Sequence, residues 1–453
     1  MHAAPSDTPR PLFLLPPGQM ARHSLLGMLR ASQRLGLNPG WIEVQTLRDR
    51  ARRADGSRSA ISLLIAEQRY RVEAGGFTHA VSFGPSGVID FTLPTGSTPE
   101  SLWTHLGLNV AMWWADHPSW LSAESALFEP ARTMCAGSVY GHIVKSKPTA
   151  DEAREILGWS RVDSMPVAED YEVVRPMKSG EPRHDVVVVA HDVQPVAMPL
   201  KRFLAADDPD PATMERAMIP QAMSQFSKFI REDKPAIRVA LERFASELLE
   251  ARACEPLRTV HQLATQLGAD HGAALIYLTR KGRRWYKTQQ ILRQATTWRR
   301  SFWLAWLAQR VELGVYGCDA KAIGVPQAME ALSSVAHQDL SRVYGLGKCA
   351  ISINPACDEA SVTHEVFQIA GSGVPCIHHA TAGLGELFDI GREVMTFSRG
   401  PELLHAVDHL CAHESLREEF GQRALSRTRA QHAWEHRVPR LLGTANQATL
   451  KAA

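Results

Sequence analysis

The chain has 453 residues, 45% hydrophobic and 22% charged, with a net charge of +2. Its length exceeds a single core of usual size and predicts two domains of about 200 residues each, while the near-neutral charge argues neither for a general polyanion binder nor against a local basic patch. No apolar run approaches the roughly 18 residues that span a bilayer, the first ten residues lack a basic region leading into an apolar one, and seven cysteines without regular spacing suit reduced thiols: a cytoplasmic protein is expected.

In chain order, Pro11–Leu15 reads as an apolar strand and Ala21–Leu35, with leucine and methionine at three- and four-residue spacings, as a helix ended by Gly36-Leu-Asn-Pro-Gly40. Trp41–Val44 completes a βαβ start. Further strands are predicted at Thr78–Phe83 and Leu108–Met112, with Thr133–Ala136 a weaker candidate. This first α/β domain ends near Val167–Asp170, and a shift to Pro, Gly, Lys and Glu around Arg175–His184 predicts a linker. The expected division is 1–175, 185–440 and a tail at 441–453.

Asp185–Ala190 holds four consecutive valines, the pattern of a strand buried on both faces at the centre of a parallel sheet. Residues 211–313 are helical in pattern, cut by Pro235, Pro256 and several glycines into four or five helices. Gly314–Gly317 returns to strand and turn, and Gln338–Tyr344 reads as a short helix. Strand Cys349–Ile353 then leads through Asn354-Pro355 into a polar loop and a helix entered at Thr363–Gln368. A Gly371-Ser-Gly373 turn, strand Val374–His378, the segment Gly383–Phe388, strand Glu393–Phe397 and an amphipathic helix or pair over Pro401–Leu442 complete the chain. That succession is the grammar of a parallel sheet.

Asn354 with its loop, Glu365–Pro375, Gly383–Phe388 and Gly391–Val394 resemble the C-terminal domain of group 1-like GT-B glycosyltransferases, with the spore-maturation (CgeB-like) group as the nearest branch. Tyr316-Gly317, Ser341–Tyr344, His432–Arg437 and Trp113–Pro118 resemble further segments of that group. The resemblance implies an α/β GT-B fold of two facing Rossmann-like domains with parallel sheets, plus a helical insertion in the second. It also implies a transferase that moves a hexosyl or pentosyl group from a nucleotide-activated donor to a hydroxyl-type acceptor; with no Asp-x-Asp in a suitable loop nothing demands a divalent cation, so a metal-independent reaction without a cofactor is expected.

His191, Tyr316, Asn354, Ser361, Thr363, Glu365, Gln368 and Gly383 are the implied donor contacts. Ligands on open parallel sheets bind beyond the carboxyl ends of strands, the helix start near Thr363 offers free N–H groups to a pyrophosphate, and small residues such as Ser361 or Gly383 let the backbone come close. One departure stands out. Retaining members of the fold carry two glutamates eight positions apart, where this chain has Ala360 and Gln368. Gln368 can hold a ribose hydroxyl only as a neutral amide, with Glu365 one turn earlier on a similar face.

Each candidate has a plainer reading beside it. Asp116-His117 is the acid/base pair expected to meet the acceptor on domain closure, or a turn and strand cap. His191-Asp192 follows the valine strand and serves the donor or forms an ordinary polar turn. Glu365 and Gln368 equally suit a solvent-facing first helical turn, and Tyr316 a core position. The basic run Arg280–Lys287, with Arg293, Arg299, Arg300 and interleaved Trp285, Tyr286 and Trp298, is either a docking site for a glycan, protein or other anionic acceptor over residues 280–300 or a solvated helix face. Net charge offers nucleic acid no wider footprint. Cys349, Cys357, Cys376, His378 and His379 lack the close pairs of a zinc site, so no metal is expected. Two other functions fit the same grammar: a non-catalytic GT-B-like nucleotide- or partner-binding module, and a nucleotide-sugar epimerase.

Overall fold

A computed structural model describes residues 8–53, 58–93, 100–119, 128, 132–137, 139–177, 181–190, 193–231, 233–318, 320–323, 335–354 and 360–446. The chain divides into two compact units, 1–166 with 433–453, and 167–432. Each is built on its own parallel sheet. The α/β class, the two parallel sheets and the helical insertion in the second unit match the expected plan.

The first unit contains β1 (Pro11–Leu15), β2 (Gly40–Glu43), β3 (His79–Phe83), β4 (Thr92–Leu93), β5 (Glu100–Ser101), β6 (Asn109–Trp114), β7 (Tyr140–Val144) and β8 (Val162–Ser164). Six of these form one sheet in the order β2-β1-β3-β6-β7-β8, and β4 pairs with β5 as a separate antiparallel ribbon. Strand β1 is buried along its whole length, as an apolar run must be when helices cover both faces. The helix Gln19–Arg34 places Leu25, Met28 and Leu29 on its buried face, and Gly36 leaves it at φ 73°, a left-handed conformation that glycine adopts without a Cβ clash.

Strands β7 and β8 have no counterpart in the sequence reading, because Gly141 and His142 interrupt the apolar run. His142 is nevertheless fully buried: Trp114 Nε1 donates to its Nδ1 at 3.1 Å, its Nε2 lies 2.8 Å from the Cys135 carbonyl, and its ring stacks on Trp159 at 3.8 Å. Burial pushes it down to about 4, so it sits in the core as a neutral ring. The weaker strand candidate is corrected: Arg132–Cys135 is a helical turn.

The second unit has β9 (His184–Val189), β10 (Leu313–Tyr316), β11 (Gly347–Ser352), β12 (Cys376–His379) and β13 (Val394–Phe397), ordered β10-β9-β11-β12-β13 and parallel throughout. The valine strand β9 lies between β10 and β11, with Val186 opposite both Leu313 and Cys349. Five α-helices, from Pro211 to Leu307, are inserted between β9 and β10. Among the described residues no helix is long and apolar enough to cross a membrane.

Two boundaries differ from the sequence reading. Residues 167–183 belong to the second unit, and 433–446 return to the first. What was read as a tail from residue 441 continues the helix Val438–Asn446, whose Leu441, Leu442 and Ala445 are buried, and Trp434 meets Trp113 of β6 edge to face at 5.6 Å. The segment needs Gly141 on β7, because a Cβ there would lie 3.0 Å from the Thr444 and Ala445 backbone.

A second close approach holds the turn after the helix His364–Gly371. A Cβ on Gly421, in the helix Glu414–Gln431, would stand 2.1 Å from the Gly373 carbonyl oxygen, and Gly373 itself has φ 74°. Gly421→Ala is expected to lower stability by about 1–3 kcal/mol, the usual cost of forcing extra atoms into a packed contact, as read from the urea midpoint.

Candidate functional site

The carboxyl edge of the second sheet collects most of the candidate residues. After β11 the chain reaches Asn354, 7% exposed, whose Nδ2 donates to the Ser361 carbonyl at 2.6 Å. Ser361 Oγ is buried with no hydrogen-bond partner among the described residues. Thr363 precedes the helix His364–Gly371, but its hydroxyl meets Ser352 Oγ at 3.0 Å rather than capping the helix. The first N–H groups of that helix are therefore not capped by Thr363, and the helix dipole favours negative charge there.

Gly383, after β12, packs against Ala360: a Cβ there would lie 3.2 Å from the Ala360 carbonyl oxygen. Gln368 is half-buried one turn into the helix.

Arg300 is the central cation of this edge. It is carried by the helix Trp298–Leu307 of the insertion, and its Nε and Nη2 donate to the Ile353 carbonyl at 3.0 and 2.8 Å. Nη2 also reaches both carboxylate oxygens of Glu365, at 3.0 and 3.3 Å. One guanidinium thus joins the end of β11 to the first turn of the following helix, a geometry that a planar fork of donors can reach. Sequence reasoning placed Arg300 only in a basic run. Its tie to Glu365 crosses 65 residues and leaves no local pattern.

That basic run does not form one exposed patch. Arg284 pairs with Asp233 at 2.8 Å, Arg299 with Glu215 at 2.7 Å, and Arg293 is buried, while Arg280, Lys281 and Arg283 face solvent. Trp285, Tyr286 and Trp298 are core residues.

Behind the helix start lies a buried carboxylate that the sequence did not single out. Glu169, 2% exposed, faces His337 Nε2 at 3.2 Å and His364 Nε2 at 3.0 Å. Burial pushes its carboxyl up, but the His364 charge and the His337 hydrogen bond outweigh this and hold it well below the usual carboxylate range. Burial likewise lowers His364, and the Glu169 charge more than offsets it, so His364 lies above its ordinary 6.5.

The two shifts act at opposite ends of the pH scale. Glu169 contributes stability above its unfolded value of about 4.3, lost as pH falls through the folded one; His364 contributes stability below about 6.5, lost as pH rises through its raised value. The urea midpoint is accordingly expected to fall as pH rises from about 6.5 through the raised His364 value, and Glu169→Gln to flatten that slope. Equal slopes in the two proteins would remove the pair from the account.

Other candidates sit differently. His191 and Asp192 lie outside the described residues, as do Cys357 and Asp358. Tyr316 is 5% exposed and its hydroxyl meets His184 Nε2 at 3.1 Å, near the start of β9 and so away from the carboxyl edge. This favours its reading as a core aromatic. Cys349, Cys376 and His378 are buried in their strands, and among the described residues no group of three or more His, Cys, Asp or Glu is arranged to hold a metal ion.

In the first unit, Asp116 is exposed just after β6, and His117 is 7% exposed. Both ring nitrogens of His117 are engaged: the Ser119 N–H donates to Nδ1 at 3.1 Å, and Nε2 lies 3.3 Å from the buried Glu152 carboxylate. Accepting from Ser119 places the ring proton on Nε2, toward Glu152.

Fold and site together define a two-unit α/β protein with a polar, cation-bearing edge on its second sheet. Residues 293–443 match the family described as glycosyl transferase-like, a span that takes in Arg300, Tyr316 and the edge from Asn354 to Gly383. No curated protein matches the chain. Among solved structures, sucrose-phosphate synthase from Thermosynechococcus elongatus aligns with a TM-score of 0.44 and 9% identity over 98% of this chain and 100% of that one. A glycosyltransferase from Rickettsia africae aligns with a TM-score of 0.42 and 9% identity over 98% of this chain and 100% of its own. Anabaena HepE in complex with UDP gives 0.40 and 9% over the same shares.

Proposed function

We propose that this chain is a glycosyltransferase that takes a nucleotide-activated sugar at the carboxyl edge of its second sheet. The observation that carries the reading is the Arg300 clamp on Ile353 and Glu365, at the start of a helix that Thr363 does not cap, within the glycosyl transferase-like span. A donor diphosphate would lie against the helix N–H groups with Arg300 offsetting its charge, and Ser361 Oγ would offer a hydrogen bond. Gln368 would hold a ribose hydroxyl as a neutral amide. In the reaction the acceptor hydroxyl oxygen bonds to the anomeric carbon, the bond from that carbon to the phosphate oxygen breaks, and the diphosphate departs with the electron pair. Asp116 is the proposed proton acceptor, since neither ring nitrogen of His117 is left to take one.

Calorimetric titration with UDP-, GDP-, dTDP- and CMP-sugars tests the donor site, and binding to none of them would count decisively against it. A second reading, a nucleotide-binding module without turnover, is favoured by the engaged His117 and by Gln368 in place of a glutamate. Donor binding accompanied by neither transfer nor donor hydrolysis, and indifferent to Asp116→Ala, would select it.

A further inference from the structure

A pocket of about 330 Å³ opens in the second unit where the inserted helices meet the ends of β12 and β13. None of the proposed donor residues lines it. Its size falls in the range of sites that enclose small molecules, roughly 300–1,000 Å³.

One side of the pocket is apolar. Trp298, Pro211, Pro256 and Leu257 line it, and Leu257 remains 45% exposed although it is a large apolar side chain. The Trp298 N–H is already donated to the Ala295 carbonyl, so that indole offers its ring rather than a hydrogen bond.

The polar side has donors left over. Trp303 is fully buried, and its N–H has no acceptor among the described residues. That N–H is closed off from solvent, so it is a cost to the fold rather than a contact open to a ligand. Arg299, with five side-chain N–H groups, makes one side-chain hydrogen bond among the described residues, to Glu215. Arg399 reaches Asp208 through Nε and Nη2, and its Nη1 makes no hydrogen bond among the described residues.

The lining carboxylates are engaged in part: Glu215 Oε1 makes no hydrogen bond among the described residues, though it faces Arg252 Nε at 3.2 Å. Glu215 is shared by Arg299 and Arg252, and Asp210 accepts from the Thr213 N–H and hydroxyl at 2.9 and 2.6 Å. Burial, with the Arg299 charge beside it, pushes His379 down to about 3, so it stands neutral in the wall. Arg299 and Arg399 keep N–H groups that the acceptor oxygens of an anionic ligand would match.

We propose that this pocket binds a small organic anion, its planar or apolar body against Trp298, Pro256 and Leu257 and its carboxylate, sulfonate or phosphate head on Arg299 and Arg399. The proposal does not rest on the glycosyl-transfer reading, because it uses neither Arg300 nor the helix His364–Gly371.

Cys254 gives a local readout. It lines the pocket and is the exposed thiol among the described cysteines, of which Cys411 is half-buried and the others are buried. Naphthalene-2-sulfonate is the probe, and its uncharged methyl sulfone the control. On the full-length protein the sulfonate should slow alkylation of Cys254 by iodoacetamide, followed by peptide mass spectrometry, and the sulfone should need at least about tenfold higher concentration for the same protection.

Leu257→Trp, at an exposed position where folding is not at stake, should fill the mouth and abolish protection. Arg399→Gln on the rim should weaken the sulfonate about tenfold and leave the sulfone unchanged. No protection in the wild-type protein, equal protection by sulfonate and sulfone, or protection that survives Leu257→Trp each overturns the proposal. Protection of Cys254 by UDP would overturn it as a separate site, whereas loss of UDP binding with sulfonate protection intact would remove only the glycosyl-transfer reading.

Discussion

Arg300→Ala should lower stability by about 2–3 kcal/mol and weaken UDP binding at least tenfold, with Arg300→Lys recovering only part of either loss. The guanidinium is 12% exposed and its partner carboxylate 20%, so removing the cation leaves Glu365 and the Ile353 carbonyl poorly solvated. Breaking a buried pair costs about 3–5 kcal/mol, and the residual exposure of both groups brings the figure down. Lysine restores the charge, but its single ammonium cannot match the fork that now spans a carbonyl and a carboxylate. Urea unfolding reads the first loss and calorimetry with UDP the second. A variant that loses stability yet binds UDP as tightly as the wild type would keep the structural clamp and discard the donor role.

How much of this was legible in the sequence depends on whether an interaction is local. The valine strand β9, the helix after Thr363 and the glycine turn at residues 371–373 are patterns of neighbouring residues, and each is found where it was expected. Strand β7 was missed because burial of His142 depends on Trp114, Cys135 and Trp159, three residues from separate elements. The return of residues 433–446 to the first unit has the same character. It depends on Gly141 making room for the Thr444 and Ala445 backbone, and a glycine within a strand looks in sequence like a weakness rather than a contact.

The candidate site divides along the same line. Asn354, Ser361, Thr363, Glu365 and Gly383 follow strands or open a helix, and topology alone directs such positions to the carboxyl edge. Arg300 and Glu169 do not. One arrives from an inserted helix and the other from the segment Val167–Asp170, and only the folded chain brings them to Glu365 and His364. The basic run over residues 280–300 shows the opposite error: a dense cluster of charges in sequence is dispersed in space to Asp233, Glu215 and Glu365, each pairing satisfied separately.

The largest stability effect is expected at Glu215, where one carboxylate, 2% exposed, holds Arg252 Nε at 3.2 Å and Arg299 Nη2 at 2.7 Å. Arg252 is itself 1% exposed and has a further bond to Thr296 Oγ1 at 2.9 Å. Glu215→Ala strands two guanidinium groups around an empty site and should cost about 3–5 kcal/mol, because a buried cation loses both its solvent and its counter-charge. Glu215→Gln keeps an acceptor oxygen without the charge and should fall between. Replacing the carboxylate and its deepest partner together, as Glu215→Leu with Arg252→Met, should recover much of the loss, since charges removed in pairs leave no uncompensated ion. Chemical unfolding of the four proteins orders them, and a Glu215→Ala loss below about 1 kcal/mol would mean that water reaches these groups and the triad is not buried in solution. The same substitution bears on the anion pocket. It releases Arg299 from the carboxylate it hydrogen-bonds among the described residues, so folded Glu215→Ala protein should bind naphthalene-2-sulfonate more tightly than wild type even as it unfolds more readily. Opposite signs from one substitution separate a residue that stabilises the fold from one that competes with the ligand, and at Glu215 both roles meet on a single carboxylate.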